Sequence, residues 1–167
     1  YSFESPKVYD KLLLPQDSPL RKAVVISNPL GEDFSIMRTV SLNGMLTSLS
    51  TNFNRRNKNV RLYELGNIYL PKQVPVIELP EERMQFTLGM YGEGDFFTMK
   101  GVIEEFLYKA GMKLKPEYDP EAGKPFLHPG RQANVIYDGT VIGYLGEVHP
   151  TVAANYNMNC LLYTSPS

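Results

Sequence analysis

The stretch from Ser41 to Leu70, SLNGMLTSLSTNFNRRNKNVRLYELGNIYL, contains the change of periodicity that decides the fold. Leu42, Met45, Leu46, Leu49 and Phe53 fall at offsets 0, 3, 4, 7 and 11, which is one apolar stripe of a helix. Ser41 is placed to cap it. Gly44 weakens its first turn by roughly 1 kcal/mol relative to alanine. Arg55, Arg56 and Lys58 stand at its end, where cations suit the helix dipole. From Val60 to Leu70 the pattern becomes that of a strand, which Pro71 ends.

Working outward, Tyr1-Ser2-Phe3 reads as the middle of a strand, so the chain is expected to be cut from a longer protein. A short helix is predicted over 7–13 and a buried strand over Ala23-Val24-Val25-Ile26. Residues 71–83 hold three prolines and a Glu-rich patch and are expected to form an exposed loop. Met84 to Tyr91 is a second strand. A second helix is predicted over 98–110, with Val102, Ile103, Phe106, Leu107 and Ala110 as its apolar stripe. Asp138-Gly139-Thr140 between Val135-Ile136-Tyr137 and Val141-Ile142 signals a hairpin. His149-Pro150 starts a last short helix. Strand–helix alternation is not regular. The expected class is therefore α+β, a mainly antiparallel sheet with helices on one face, rather than a doubly wound sheet.

Composition narrows the function classes. Apolar residues make up 43% and charged residues 21% of the 167 positions, ordinary values for a globular domain. With 17 basic and 18 acidic residues the net charge is −1. A free-standing nucleic-acid binder usually carries a basic excess. One cysteine, Cys160, cannot make an internal disulfide or a cysteine-rich metal site, which fits a cytoplasmic home, and no apolar run is long enough to span a membrane.

Few side chains invite a chemical reading. Gly92-Glu93-Gly94 is too short for a phosphate loop. His128 and His149 have no neighbouring ligand motif; both precede proline and fit turns better than a metal. No serine sits in a nucleophile elbow. Arg38, Arg61, Glu64, Arg131 and Glu147 differ, because each lies inside an apolar strand or at an element boundary. A charge there must be paired or face a cleft. Two readings stand: an internal ion-pair network under the sheet, or a cleft for a ligand or partner.

Several blocks together resemble one family. They are Asn28-Pro29-Leu30, Met37-Arg38-Thr39 with Leu42-Asn43-Gly44-Met45-Leu46, Val60-Arg61-Leu62-Tyr63-Glu64-Leu65-Gly66, Asp95-Phe96-Phe97-Thr98-Met99-Lys100-Gly101, and His128-Pro129-Gly130-Arg131 with Gly143-Tyr144-Leu145-Gly146-Glu147-Val148-His149-Pro150. In this order they look like the beta chains of bacterial-type phenylalanine–tRNA ligases. The resemblance implies a class II synthetase-like fold over 1–156, with an atypical tail, 157–167, left unassigned. In the tail, Cys160-Leu161-Leu162-Tyr163 could begin a strand that Thr164-Ser165-Pro166-Ser167 would stop.

The resemblance also implies the function. The parent would be a cytoplasmic alpha–beta heterotetramer that joins phenylalanine to tRNA with ATP and magnesium. This module would assemble with the alpha subunit, hold no cofactor, metal or catalytic residue of its own, and meet tRNA only through the parent complex. Class II activation needs a strand arginine with an acid two positions on. If Glu64 is that acid, the arginine position holds Leu62, and Arg61 points to the other face. Near the second class II arginine, Gly143 and Gly146 are followed by Glu147 and His149 where a cation is wanted. The competing reading is a domain that binds ATP through Arg38, Glu64 and Arg131, or tRNA through Arg55-Arg56-Asn57-Lys58.

Overall fold

The computed structural model describes residues 1–159 and the backbone of 162–166. Six strands form the main sheet: β3 (Val60–Leu70), β4 (Glu81–Tyr91), β5 (Glu117–Asp119), β6 (Leu127–Tyr137), β7 (Thr140–Val148) and β8 (Leu162–Pro166). Their order is β3-β4-β8-β7-β6-β5, and each strand runs antiparallel to its neighbours. A two-stranded ribbon, β1 (Phe3–Glu4) and β2 (Ile36–Met37), stands beside it. The helices are α1 (Val8–Lys11), α2 (Leu42–Asn54), α3 (Phe96–Lys109) and α4 (Pro150–Asn155).

The register of β4 shows how the helices are distributed. Side chains alternate across a strand. Gly89 lies against Met45 and Leu49 of α2, and the Thr87 hydroxyl bonds that of Ser41. Phe86, on the opposite face, stacks on Phe106 of α3 with ring centroids 4.1 Å apart. Met90 shares a core with Met99, Ile103 and Leu107 of the same helix. Helices therefore cover both faces of the sheet rather than the one expected. The larger core, under α1, α2 and α4, centres on Leu12, Leu46, Leu49, Phe126 and Val152; the smaller lies under α3.

Local departures have local causes. Ser41 occupies the N-cap position of α2 without capping it, because its hydroxyl reaches Thr87 and Gln85 on β4 instead. The 23–26 segment is not a buried strand: Val25 forms one isolated bridge to Ile36 and is 72% exposed. Strand β4 begins at Glu81, so the loop is shorter than expected. Helix α3 starts earlier, at Phe96, because Asp95 and Thr98 form a reciprocal capping box. Its buried stripe is Met99, Ile103 and Leu107; Val102 and Phe106, expected inside, lie at the surface. The 138–139 turn is as read, with both residues at positive φ and Tyr137 facing Thr140. The tail supplies β8, between β4 and β7, and Thr164 to Pro166 belong to that strand rather than stopping it. Cys160, Leu161 and Ser167 lie outside the described residues.

Candidate functional site

The singled-out charges resolve into two ion pairs and one exposed cation. Arg38 follows β2, and its backbone is held from both sides: its N–H donates to the Ser2 carbonyl, and its carbonyl accepts from Tyr69 N–H. The side chain then lies flat on β3. Nε donates to the Asn67 carbonyl at 2.7 Å and Nη1 to Glu64 Oε1 at 2.7 Å. Gly66 makes this possible, since a β-carbon there would fall on the guanidinium and 2.8 Å from Glu64 Oε1. The arginine side chain is 3% exposed and the glutamate 31%. Leu62, on the same face as Glu64, packs against the larger core.

Next to this pair sits a carboxyl that sequence reading passed over. Glu4 of β1 is 4% exposed. Its Oε1 accepts from the Asn43 amide at 3.1 Å, and Asn43 Oδ1 accepts from the Tyr156 hydroxyl at 2.7 Å. Its Oε2 has no partner among the described residues. Burial raises the Glu4 pKa to about 7, against the opposing pulls of the Asn43 hydrogen bond, Arg38 and the chain's amino terminus. The sequence signal was faint, because one glutamate after Tyr1-Ser2-Phe3 looks like an exposed strand end.

The second pair lies on the opposite face. Glu147 of β7 falls in register with Tyr163 of β8 and so with Met90 of β4, which places it on the α3 side. Arg131 Nη1 donates to Glu147 Oε2 at 2.6 Å. Here the carboxylate is the buried partner, at 4% exposed, and the arginine the open one, at 54%. The pair lines an open cleft of about 540 Å³ with Phe96, Phe97, Lys100 and Tyr118. The Lys100 ammonium sits 4.4 Å from the Tyr118 ring centroid, and the Tyr118 hydroxyl donates to Glu104. Burial and that carboxylate hold the Tyr118 phenol well above its usual range.

Arg61 is exposed on the α3 face, opposite Met90, and its side chain makes no ion pair among the described residues. The two histidines serve the backbone. His128 Nδ1 accepts from Gly130 N–H, and His149 Nδ1 accepts from Thr151 N–H to cap α4. No cluster of three metal-ligating side chains occurs among the described residues. The structure thus brings Arg38 to Glu64 and Arg131 to Glu147, and leaves Arg61, His128 and His149 apart from both. The two pairs stand on opposite sides of the sheet, so Arg38 and Arg131 do not share a pocket.

Comparison with known proteins bears on this arrangement. The family model described as "Phenylalanyl tRNA synthetase beta chain CLM domain" matches residues 1–164. The phenylalanine–tRNA ligase beta subunit of Clostridium acetobutylicum is 46% identical over 165 residues, 99% of this chain and 21% of the relative. That of Clostridium tetani is 44% identical over 159 residues, 95% of this chain and 20% of the relative. The chain therefore spans about a fifth of the length of the curated relatives it matches. Among solved structures, the pyrrolysyl-tRNA synthetase of Desulfitobacterium hafniense superposes with a TM-score of 0.76 at 12% identity, covering 99% of this chain and 57% of that one. At that identity the likeness is one of fold: α+β, class II synthetase-like, as read from the sequence.

Proposed function

The chain belongs to the phenylalanyl-tRNA synthetase beta-chain family, and on that premise we propose that it is the synthetase-like but chemically silent part of the beta subunit, supporting assembly with the catalytic alpha subunit. The parent complex charges tRNA with phenylalanine in the cytoplasm, using ATP and magnesium held elsewhere. This module contributes shape rather than a reacting group.

The observation that carries the silence is the fate of the cations. Nucleotide activation depends on positive groups aimed at the phosphates before the reaction begins. Arg38 is buried and committed to Glu64, while Arg131, paired with Glu147, stands on the far side of the sheet. Leu62 brings no charge to the α2 face. Support for assembly comes from the α3 face of the edge hairpin. Tyr63, Leu65 and Met84 are between 63% and 75% exposed there, beside Phe106. Contiguous apolar surface of this kind marks an interaction site.

Copurification of the chain with tagged alpha subunit tests the assembly role. Retention through a salt wash is expected, with loss on Tyr63→Lys/Leu65→Lys. A chain that never associates with the alpha subunit would overturn it.

A further inference from the structure

The thirty residues 34–63 contain five basic side chains and no acidic one. Arg38 is the paired member. The remaining cations begin at the end of α2, where Arg55, Arg56 and Lys58 are all exposed and make no ion pair among the described residues. The outward face of α2 leading to them carries Thr47, Ser48, Thr51 and Asn54, hydroxyls and amides without a carboxylate. The other long helix carries its cations differently. On α3, Lys100 pairs with Glu104 and Lys109 with Glu105, so its cations are balanced by carboxylates one turn away.

Two further observations converge on the same corner. Arg56 and Lys58 line an open hollow of about 480 Å³ with Asn54, Asn57, Tyr91 and Gly92. Arg56 also sits at φ +62°, the left-handed position after the helix where glycine is the ordinary choice. Leu13 and Asn157 end α1 and α4 in the same left-handed conformation, so helix termination accounts for the backbone of Arg56, and its effect is to hold the guanidinium at the exposed corner.

We infer that the C-terminal end of α2, through Arg55, Arg56 and Lys58, is a contact surface for the phosphodiester backbone of duplex RNA. Cations supply the affinity, and the exposed Thr47 and Ser48 hydroxyls are neutral donors of the kind that bind phosphate oxygens, whereas Thr51 and Asn54 donate within the helix. The contact is positional and reads no base. It differs from a free-standing RNA-binding domain, which the net charge of −1 disfavours. The choice of RNA as the polyanion rests on the tRNA-ligase reading above; the surface itself does not.

The test is fluorescence anisotropy of a labelled short RNA duplex with the chain across a salt series. The unsubstituted chain is expected to bind at low salt. Arg55→Gln/Arg56→Gln/Lys58→Gln is expected to weaken binding at least about tenfold and to reduce the slope of log K against log salt by about two to three. Lys113→Gln/Lys115→Gln, which removes two exposed cations elsewhere, leaves both unchanged. Arg56→Gly separates the contact from a purely structural role: it relaxes the backbone and keeps or raises the melting temperature, yet weakens RNA binding. No RNA binding at low salt, a triple variant that binds like the unsubstituted chain, or poly-glutamate binding as tightly as the duplex would each overturn the inference. Copurification of the triple variant with the alpha subunit tells failure here from failure of the assembly reading, because that contact lies on the other face of the sheet.

Discussion

Arg38 Nη1 donates to Glu64 Oε1 at 2.7 Å with the arginine as the buried partner, and Arg131 donates to Glu147 at 2.6 Å with the carboxylate as the buried partner. The two pairs look alike in sequence and are opposite in solvation. The cost of breaking an ion pair is mainly that of the charge left behind in the interior. Glu64→Gln strands a buried guanidinium and is expected to destabilise the chain by about 3 kcal/mol. Glu147→Gln leaves an arginine that reaches water and is expected to cost about 1 kcal/mol or less. Removing the basic partner reverses the order: Arg131→Leu strands buried Glu147 and is the costlier change of the second pair. Urea unfolding of the variants checks the asymmetry; equal costs for Glu64→Gln and Glu147→Gln would refute it.

The flat path of Arg38 over β3 depends on the missing side chain at Gly66. Gly66→Ala puts a methyl where the guanidinium lies, and Gly89→Ala puts one 2.7 Å from Met45 and 2.9 Å from Leu49. Overpacking of this kind costs about 1–3 kcal/mol. The two should differ in rescue. Met45→Ala added to Gly89→Ala makes room for the new methyl, so the double variant should lose less than the two single changes summed, whereas no trimming of α2 offsets the cost of Gly66→Ala. Thermal melts of the single and double variants show whether it does.

Glu4 makes stability depend on pH in the unusual direction for a carboxylate. Its folded pKa is raised to about 7 from an ordinary 4.5, so between these values the folded chain holds a proton that the unfolded chain releases. Its contribution is therefore complete below about pH 4.5, declines as pH rises towards 7, and is level above that. The full difference is on the order of 3 kcal/mol. Glu4→Gln, which keeps an acceptor for the Asn43 amide, should flatten this part of the profile. Urea midpoints at mildly acidic and mildly alkaline pH make the measurement; an unchanged pH slope in the variant would show that another group is responsible.

Helix α2, the strand from Val60 to Leu70 and the 138–139 turn were legible because their periods and turn residues leave one choice. The placement of α3 was not. Val102, Ile103, Phe106 and Leu107 form one apolar band, of which Ile103 and Leu107 are buried in the core, while Phe106 stacks on Phe86 of β4 at the rim and Val102 stays at the surface. Periodicity gives a stripe's existence without its rotation when apolar residues continue round the helix. Nor could Thr164-Ser165-Pro166 be read as strand, since its composition is that of a loop; pairing with β4 imposes the conformation, and Pro166 sits at the strand's last position. For the charged residues, sequence showed that Arg38, Glu64, Arg131 and Glu147 needed partners, but which ones depended on the backbone link of Arg38 to Tyr69 of β3 and on the β6–β7 register. Glu4 and Asn43 escaped notice because a buried carboxyl at a chain end has no sequence pattern of its own.

On the proposed reading, the chain is expected not to activate an amino acid. Phenylalanine-dependent exchange of labelled pyrophosphate into ATP, measured on the chain alone with magnesium present, tests it most directly. The expected result is exchange at background, unchanged by Glu64→Gln or Arg131→Leu. Exchange above background that disappears with either substitution would contradict the proposal, because it would mean that one of the internal ion pairs opens to hold a nucleotide.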